Sequence, residues 1–249
     1  MIHLKTPQEI KIMREGGKRL GQVKAAIREM LAPGVIPCDI DRKAEELMEK
    51  AGGQPSFKKV RGYHWATCIN INDGVVHGVP SQIPFEEGDL VKVDLGLFYQ
   101  GLHTDTSFTF FLGKIDPDKK KFLEIGKEAL NKAIVQAKPG NRMFDISHSM
   151  QEVLEGAGYS PTRSLTGHGI GRELHEDPPV PCLWVGRGRG ELLAEGMVLA
   201  IEAIYTLGSS ELILSSQDNW TISTKDGKIA GYFEETVAIT ANGPLVLTA

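Results

Sequence analysis

Asp89-Leu90-Val91-Lys92-Val93-Asp94-Leu95-Gly96-Leu97-Phe98, then Tyr99-Gln100-Gly101, then Leu102-His103-Thr104-Asp105-Thr106-Ser107-Phe108-Thr109-Phe110-Phe111-Leu112: two β-rich runs flank a short turn. Val, Phe and Thr suit a pleated, half-buried surface, whereas Asp is depleted in strands. Asp94 therefore stands out within its run. A hairpin turning at Tyr99-Gln100 sets residues whose numbers sum to 199 opposite one another, which makes Asp94 and Asp105 a direct cross-strand pair. Two carboxylates that close repel, and one takes up a proton unless a cation lies between them. Taken alone, the two residues also fit a pair of solvated edge carboxylates.

Helical periodicity precedes this stretch. Thr6-Pro7-Gln8-Glu9 reads as an N-cap, a first-turn proline and a capping box, followed at helical spacing by Ile10, Met13, Leu20, Val23, Ile27 and Leu31. Pro33-Gly34 ends that helix, and a second fits Asp39 to Ala51. Ala66–Asn72 and Val75–Val79 read as strands around the turn signal Asn72-Asp73-Gly74. After the Asp89–Leu112 region the order recurs. Asp116-Pro117 opens a third helix whose apolar side is Phe122, Ala129, Leu130, Ala133, Ile134 and Ala137. A fourth covers about Asp145–Ala157, and strands return at Met197–Leu207, Asn219–Thr224 and Gly231–Thr240. Pro33-Gly34…Asp39-Ile40 and Pro139-Gly140…Asp145-Ile146 match at an offset of 106 residues. An internal duplication, with halves of about 6–112 and 116–240 inside one domain spanning 1–249, explains both the order and the match. Two such halves facing each other leave a cleft between them.

The second half adds candidate ligands. His168 stands among glycines in Thr166-Gly167-His168-Gly169-Ile170-Gly171, where a ligand can approach the backbone closely. Glu202 interrupts the apolar strand Leu199–Ile204, and Glu234 and Glu235 point to opposite faces of Phe233–Ile239. Singly, the histidine fits core packing and each glutamate fits an ion pair. Together they are costly to bury without a partner. Carboxylates with one imidazole form a hard ligand set that suits manganese, iron or cobalt and accepts zinc. Their number points to two metals, which at about 3.5–4 Å separation generate a nucleophile and polarise a carbonyl at once.

Composition narrows the class. Of 249 residues, 41% are hydrophobic and 24% charged, ordinary values that exclude a disordered or fibrous chain. The formal net charge of −4 gives no basic excess for nucleic acid or an anionic membrane, and Lys119–Lys121 fits a solvated helix face. Cys38, Cys68 and Cys182 are scattered, with no CxxC pair, which excludes a zinc ribbon and points to a reducing compartment. Met1-Ile2-His3-Leu4-Lys5 lacks the apolar core of a signal peptide, and no apolar run is long enough to span a membrane. A cytoplasmic monomer is the expectation.

At these residues the sequence resembles the type I methionine aminopeptidases, a metallopeptidase family. The resemblance runs from Thr6 to Thr240. It is carried in order by Gly62-Tyr63, Cys68–Asn72, Val76-His77-Gly78-Val79-Pro80, Val93–Gly96, His103–Ser107, Gly167–Gly171, Leu174–Pro178, Gly196–Glu202, and Glu234 with Thr236. It implies the α/β pita-bread fold, in which two pseudo-symmetric halves build a curved antiparallel sheet backed by helices. It implies that Asp94, Asp105, His168, Glu202 and Glu234 hold two divalent metals (cobalt, manganese, iron or zinc), with Asp105 and Glu234 bridging. Glu202 would also act as general base, His175 would bind the scissile carbonyl, and His77 would contact the substrate backbone. Tyr63, Cys68, Leu174 and Trp220 would line the pocket for the methionine side chain. His103 has the strand parity of Asp105 and lies near the site without an assigned role, and His148 is structural.

The implied function is removal of the initiator methionine from nascent chains with a small second residue, with a transient ribosome contact. Three positions depart from the family pattern: Ala203 where proline is usual, Glu235 where His, Asp or Asn is usual, and Leu174 where an aromatic is common. None is a metal ligand, and the register of Phe233 and Thr236 favours Glu234 over Glu235. An Xaa-Pro aminopeptidase usually carries a further N-terminal domain. The stretch from His168 to Ala230 is too short for the insertion of type II relatives. A non-catalytic binding protein of the same fold would lose ligands, yet all five are present.

Overall fold

The computed structural model describes residues Met1–Ala249. Helix α1 (Pro7–Met30) starts as its sequence dictates: Thr6 accepts from the Glu9 N–H, and the Glu9 carboxylate accepts from the Thr6 N–H at 2.8 Å. Helix α2 (Pro37–Lys50) begins two residues before Asp39, because Pro37 fits the first turn. Strand β1 is Gln54–Pro55, β2 Thr67–Ile71 and β3 Gly74–Val76. Strands β4 (Leu90–Tyr99) and β5 (Leu102–Phe111) form the central hairpin. Helices α3 (Pro117–Gln136), N-capped by Asp116, and α4 (Met143–Gly156) follow. Then come β6 (Ser160–Pro161), β7 (Thr166–Gly169), β8 (Glu176–Pro181), β9 (Val198–Thr206), β10 (Leu212–Leu214), β11 (Ile222–Thr224), β12 (Ala230–Thr240) and β13 (Gly243–Val246).

Ten strands form one antiparallel sheet in the order β1-β4-β5-β12-β9-β7-β8, with β2 on β4, β6 on β9 and β13 on β12. The apolar face of α1 and α2 (Leu20, Val23, Ile27, Ile40, Ala44, Met48) packs with Val91, Val93, Leu95 and Leu97 of β4. Phe122, Ala129, Ala133, Ile146 and Met150 of α3 and α4 pack with Leu199, Ile201, Ala203 and Tyr205 of β9. The two arms meet where β5 pairs with β12.

The hairpin register differs from the sequence expectation. Tyr99 lies opposite Leu102, so Asp94 faces Ser107 and Asp105 faces Gly96. Asp94 and Asp105 are diagonal neighbours on one face rather than directly opposite. The turn sets this: Gln100 (φ 49°) and Gly101 (φ 87°) form a two-residue loop with both residues left-handed, the geometry that matches strand twist. The turn at Asn72-Asp73-Gly74 exists, with Asn72 at φ 50°, but β3 does not extend a ladder with β2. It pairs with β11 in a small sheet with β10, while the Ile69 N–H of β2 donates to Gly78 O at 2.9 Å. The fully buried Lys92 ammonium donates to the carbonyls of Asn72 at 2.6 Å and Ala230 at 3.2 Å. It thereby ties that turn to the start of β12, and burial pushes its pKa down to about 7.

Two glycines give a test of this packing with opposite signs. A Cβ at Gly17 in α1 would lie 2.2 Å from the backbone oxygen of Leu247, whereas one at Gly156 in α4 meets nothing within 4 Å. Alanine is the better helix former by about 1 kcal/mol. Gly156→Ala is expected to stabilise by up to that amount, and Gly17→Ala to destabilise by about 1–3 kcal/mol through overpacking. Denaturant midpoints of the two variants check both signs.

Candidate metal centre

Register across the sheet assembles the site. One row runs Cys68 (β2), Asp94 (β4), Ser107 (β5), Glu234 (β12) and Glu202 (β9), each directly opposite the next. In the adjoining row Gly96 faces Asp105, while Thr236 and His168 both face Ala200. The Thr236 hydroxyl accepts from the Asp105 N–H at 2.8 Å and donates to the Asp105 carbonyl at 2.7 Å, which fixes the backbone under that carboxylate. Directly opposite residues share a face, and so do residues two apart along a strand. All five expected ligands therefore converge.

They are buried: Asp94 is 5% exposed, Asp105 4%, His168 9%, Glu202 5% and Glu234 0%. The ligand atoms of Asp105, His168 and Glu234 lie within 4.8 Å of one another. His168 Nε2 is 3.5 Å from Glu202 Oε1, and Nδ1 is 2.9 Å from Gly169 O. With Nδ1–H donating to that carbonyl, Nε2 presents its lone pair to the carboxylates. Burial, with His175 and His77 nearby, pushes the His168 pKa down to about 3, so the ring is neutral as a ligand requires. Burial drives all four carboxylic acids well above the ordinary range, and their mutual repulsion adds to it. Asp94 Oδ1 and Glu234 Oε1 are buried without any hydrogen-bond partner. Crowded carboxylates with orphaned oxygens and a neutral imidazole fit a divalent cation.

Glu235 is on the opposite face of β12. It pairs with Lys24 at 2.7 Å and accepts from Thr106 and Thr248. Strand parity therefore separates Glu234 from its neighbour.

A cavity of about 320 Å³ opens over the ligands and is also lined by His77, His175 and Tyr232. His77 (φ 58°) and His175 are exposed at its rim, and the His175 ring stands edge-on to His168 at 4.4 Å between centroids. Beside Asp94, the residues Tyr63, Cys68 and Leu174 are buried in one apolar cluster against which Trp220 packs. The Tyr63 ring meets Trp220 edge-to-face at 5.1 Å, and its hydroxyl donates to Thr67 O at 2.9 Å. Burial and Asp94 raise the Cys68 thiol well above its ordinary pKa, so it is a neutral lining group.

His103 is buried, with Nδ1 2.8 Å from Ser56 Oγ, and joins His175 along a second, smaller cavity. His148 is on the surface of α4, stacked on Phe144. Tyr232 escaped the sequence reading. Its hydroxyl donates to Glu234 Oε2 at 2.9 Å. The one signal for it was its position two residues before Glu234, on the same face of the strand.

The profile of metallopeptidase family M24 matches residues 11–241. A methionine aminopeptidase of Clostridium perfringens is 43% identical over 249 residues, covering 100% of this chain and 99% of that protein. The crystal structure of the Thermotoga maritima methionine aminopeptidase superposes with a TM-score of 0.96 at 40% identity, over 100% of this chain and 99% of that one. Prolidase from Pyrococcus furiosus shares the fold at a TM-score of 0.79 and 28% identity, over 99% of this chain and 65% of that one. The pita-bread architecture and the metallopeptidase resemblance are both borne out.

The raised carboxylates dictate how metal and pH interact. Without metal, the folded chain holds protons on these acids more tightly than the unfolded chain does. Their contribution to stability is therefore full below the ordinary carboxylate range and is lost as pH rises from that range through their raised values in the folded chain. A divalent metal displaces those protons and needs the ionised forms. The rise in thermal midpoint on adding manganese or cobalt to chelator-treated protein should grow from about pH 5 to about pH 8. Differential scanning calorimetry across that range checks it, and a pH-independent increment would contradict ligation by these carboxylates.

Proposed function

The chain belongs to the methionine aminopeptidases of metallopeptidase family M24, and on that premise we propose that it removes the initiator methionine from nascent polypeptides whose second residue is small. It is a metal-dependent hydrolase. The observation that carries the finer reading is the set of carboxylates in adjoining cross-strand rows with Asp94 Oδ1 and Glu234 Oε1 left orphaned. Asp94, Asp105, His168, Glu202 and Glu234 would hold the metal as two ions. Bound there, the metal supplies an activated water and an anchor for the free α-amino group of the substrate.

The side chains around it do the rest. Glu202 accepts the proton of the attacking water as general base. His175, at the rim, donates to the scissile carbonyl oxygen and to the negative charge that develops on it. His77, across the mouth, holds the peptide backbone. Tyr63, Cys68, Leu174 and Trp220, gathered in one apolar cluster beside Asp94, would receive an unbranched thioether side chain. Leu174 gives that cluster its own shape relative to the family pattern, whereas Ala203 faces the helices behind β9 and is not part of it. Recognition of a free N-terminus means that a formylated chain must be deformylated first.

The 249 residues act as one catalytic domain built of two pseudo-repeated halves, as a monomer in the cytoplasm. A transient ribosome contact would use the domain surface. Lys119 and Lys120 of α3 face solvent beside Asp116 and Glu124, at 3.6 and 3.7 Å.

The test is release of methionine from Met-Ala-Ser by chelator-treated protein refilled with manganese, iron, cobalt or zinc. Cleavage should need metal and vanish in Asp94→Ala. His175→Ala should lower kcat by about 10²–10³ if it stabilises the oxyanion. Equal turnover of Leu-Ala-Ser would move the specificity away from methionine, and no turnover with any metal would refute the proposal.

A further inference from the structure

The bend that carries Leu174 and His175, between β7 and β8, has no helix or ladder to hold it. It wraps around one carboxylate. Glu176 Oε1 accepts from the N–H of Arg172 at 2.7 Å and of Glu173 at 3.1 Å. Glu176 Oε2 accepts from the Lys5 ammonium at 2.5 Å, and the two side chains are only 4% and 3% exposed. Lys5 is itself fixed, since its N–H donates to Gly196 O at 2.7 Å and its Nζ to His3 O at 3.1 Å. The fit is close, because a Cβ on Gly171 would lie 2.3 Å from Lys5 Cε. On either side of this pair the N-terminal segment makes two more ion pairs to the same stretch: the Met1 ammonium with Asp177 at 2.5 Å and Glu9 with Arg172 at 2.7 Å.

The outer two pairs are solvent-screened and weak. The buried pair is different in kind, because removing one partner leaves an uncompensated charge away from water. We infer that Lys5 is a positioning residue: through Glu176 it sets the bend that presents His175 to the scissile carbonyl and Leu174 to the substrate side chain. This rests on the function proposed above. The metal ligands stand on β4, β5, β7, β9 and β12, outside the bend, so Lys5 governs substrate contact and not metal binding.

The test compares wild type, Lys5→Met and the double variant Lys5→Met/Glu176→Leu. It measures kcat and KM on Met-Ala-Ser and Leu-Ala-Ser, manganese affinity by calorimetry, and the thermal midpoint. Lys5→Met should lose about 10–100-fold in kcat, as displacement of a reacting group by about 1 Å does. Its preference for methionine should narrow and its manganese affinity should hold. The double variant buries no unpaired charge and should regain thermal stability, yet stay slow, because the carboxylate that gathers the bend is gone. If Lys5→Met does not fold, the double variant decides alone. Wild-type kcat and KM in Lys5→Met would overturn the inference. So would activity returning with stability in the double variant, or manganese affinity falling in step with kcat. A wild-type chain inactive with every metal would overturn the proposed function, and the role of Lys5 with it. An active wild type with an unaffected variant overturns Lys5 alone.

Discussion

Four carboxylates crowded on one face of a sheet repel one another, and burial takes away the water that would screen them. In Asp94, Asp105, Glu202 and Glu234 both effects push toward the protonated form, and Asp94 Oδ1 and Glu234 Oε1 are left with nothing to bond. A divalent cation relieves both at once. The surrounding structure makes sense against that constraint. His168 is held neutral by burial with its free nitrogen inward, and Cys68 is kept as a thiol. Tyr232 bonds the Glu234 oxygen that has a partner while the other stays open. The acids are brought together by the sheet before any metal arrives, so a metal has to displace their protons but not to assemble the site.

Holding it requires a rigid join between β5 and β12, where the two arms of the chain meet. The direct ladder there is short, with Glu234 opposite Ser107 and Glu235 opposite Thr106. Threonine hydroxyls extend it at both ends. Thr236 of β12 bonds the backbone N–H and C=O of Asp105, and Thr109 of β5 bonds those of Tyr232 at 2.9 and 2.7 Å. Each clamp fixes the backbone of a residue that faces the ligands. Behind the join, Lys24 of α1 pairs with Glu235 and donates to the Thr106 hydroxyl at 2.9 Å, which binds α1 to the back of the same strands, and that hydroxyl donates across the join to Glu234 O at 2.9 Å. An ordinary ladder would use only main-chain groups, and here side chains chosen by the sequence finish the seam.

The helices were legible because their start signals are local. The Thr6 and Asp116 caps and the apolar stripes of α1 and α3 are where periodicity placed them. The long strands were legible to within a residue or two from β-branched and aromatic runs. The short strands β1, β6, β7, β8, β10 and β13 were not, because such brief segments are strands only through the neighbours they pair with. Asp94 and Asp105 were legible as a same-face pair, since parity survives a change of register by two. Their diagonal placement was not, because Gln100-Gly101 rather than Tyr99-Gln100 makes the turn. Tyr232 and Lys5 were missed for different reasons: a tyrosine on the inner face of a strand reads as ordinary core even two residues from Glu234, and an N-terminal lysine carries no local mark of Glu176, 171 residues away.

Alternation along the strands was enough, without any structure, to put Asp94 and Asp105 on one face of a hairpin and Glu234 and Glu235 on opposite faces, and the motif register of Phe233 and Thr236 chose Glu234. The motif order was enough to place the chain among metallopeptidases. Those properties are local or additive along the chain, so they can be read from it. What the tertiary structure alone decided is non-local. It set the register that lines Cys68, Asp94, Ser107, Glu234 and Glu202 into one row. It placed the threonine seam between β5 and β12, and it brought Lys5 to Glu176 across 171 residues of chain. Each of these is set by turn geometry and by the close packing of segments far apart in sequence, and no periodicity within one segment encodes either.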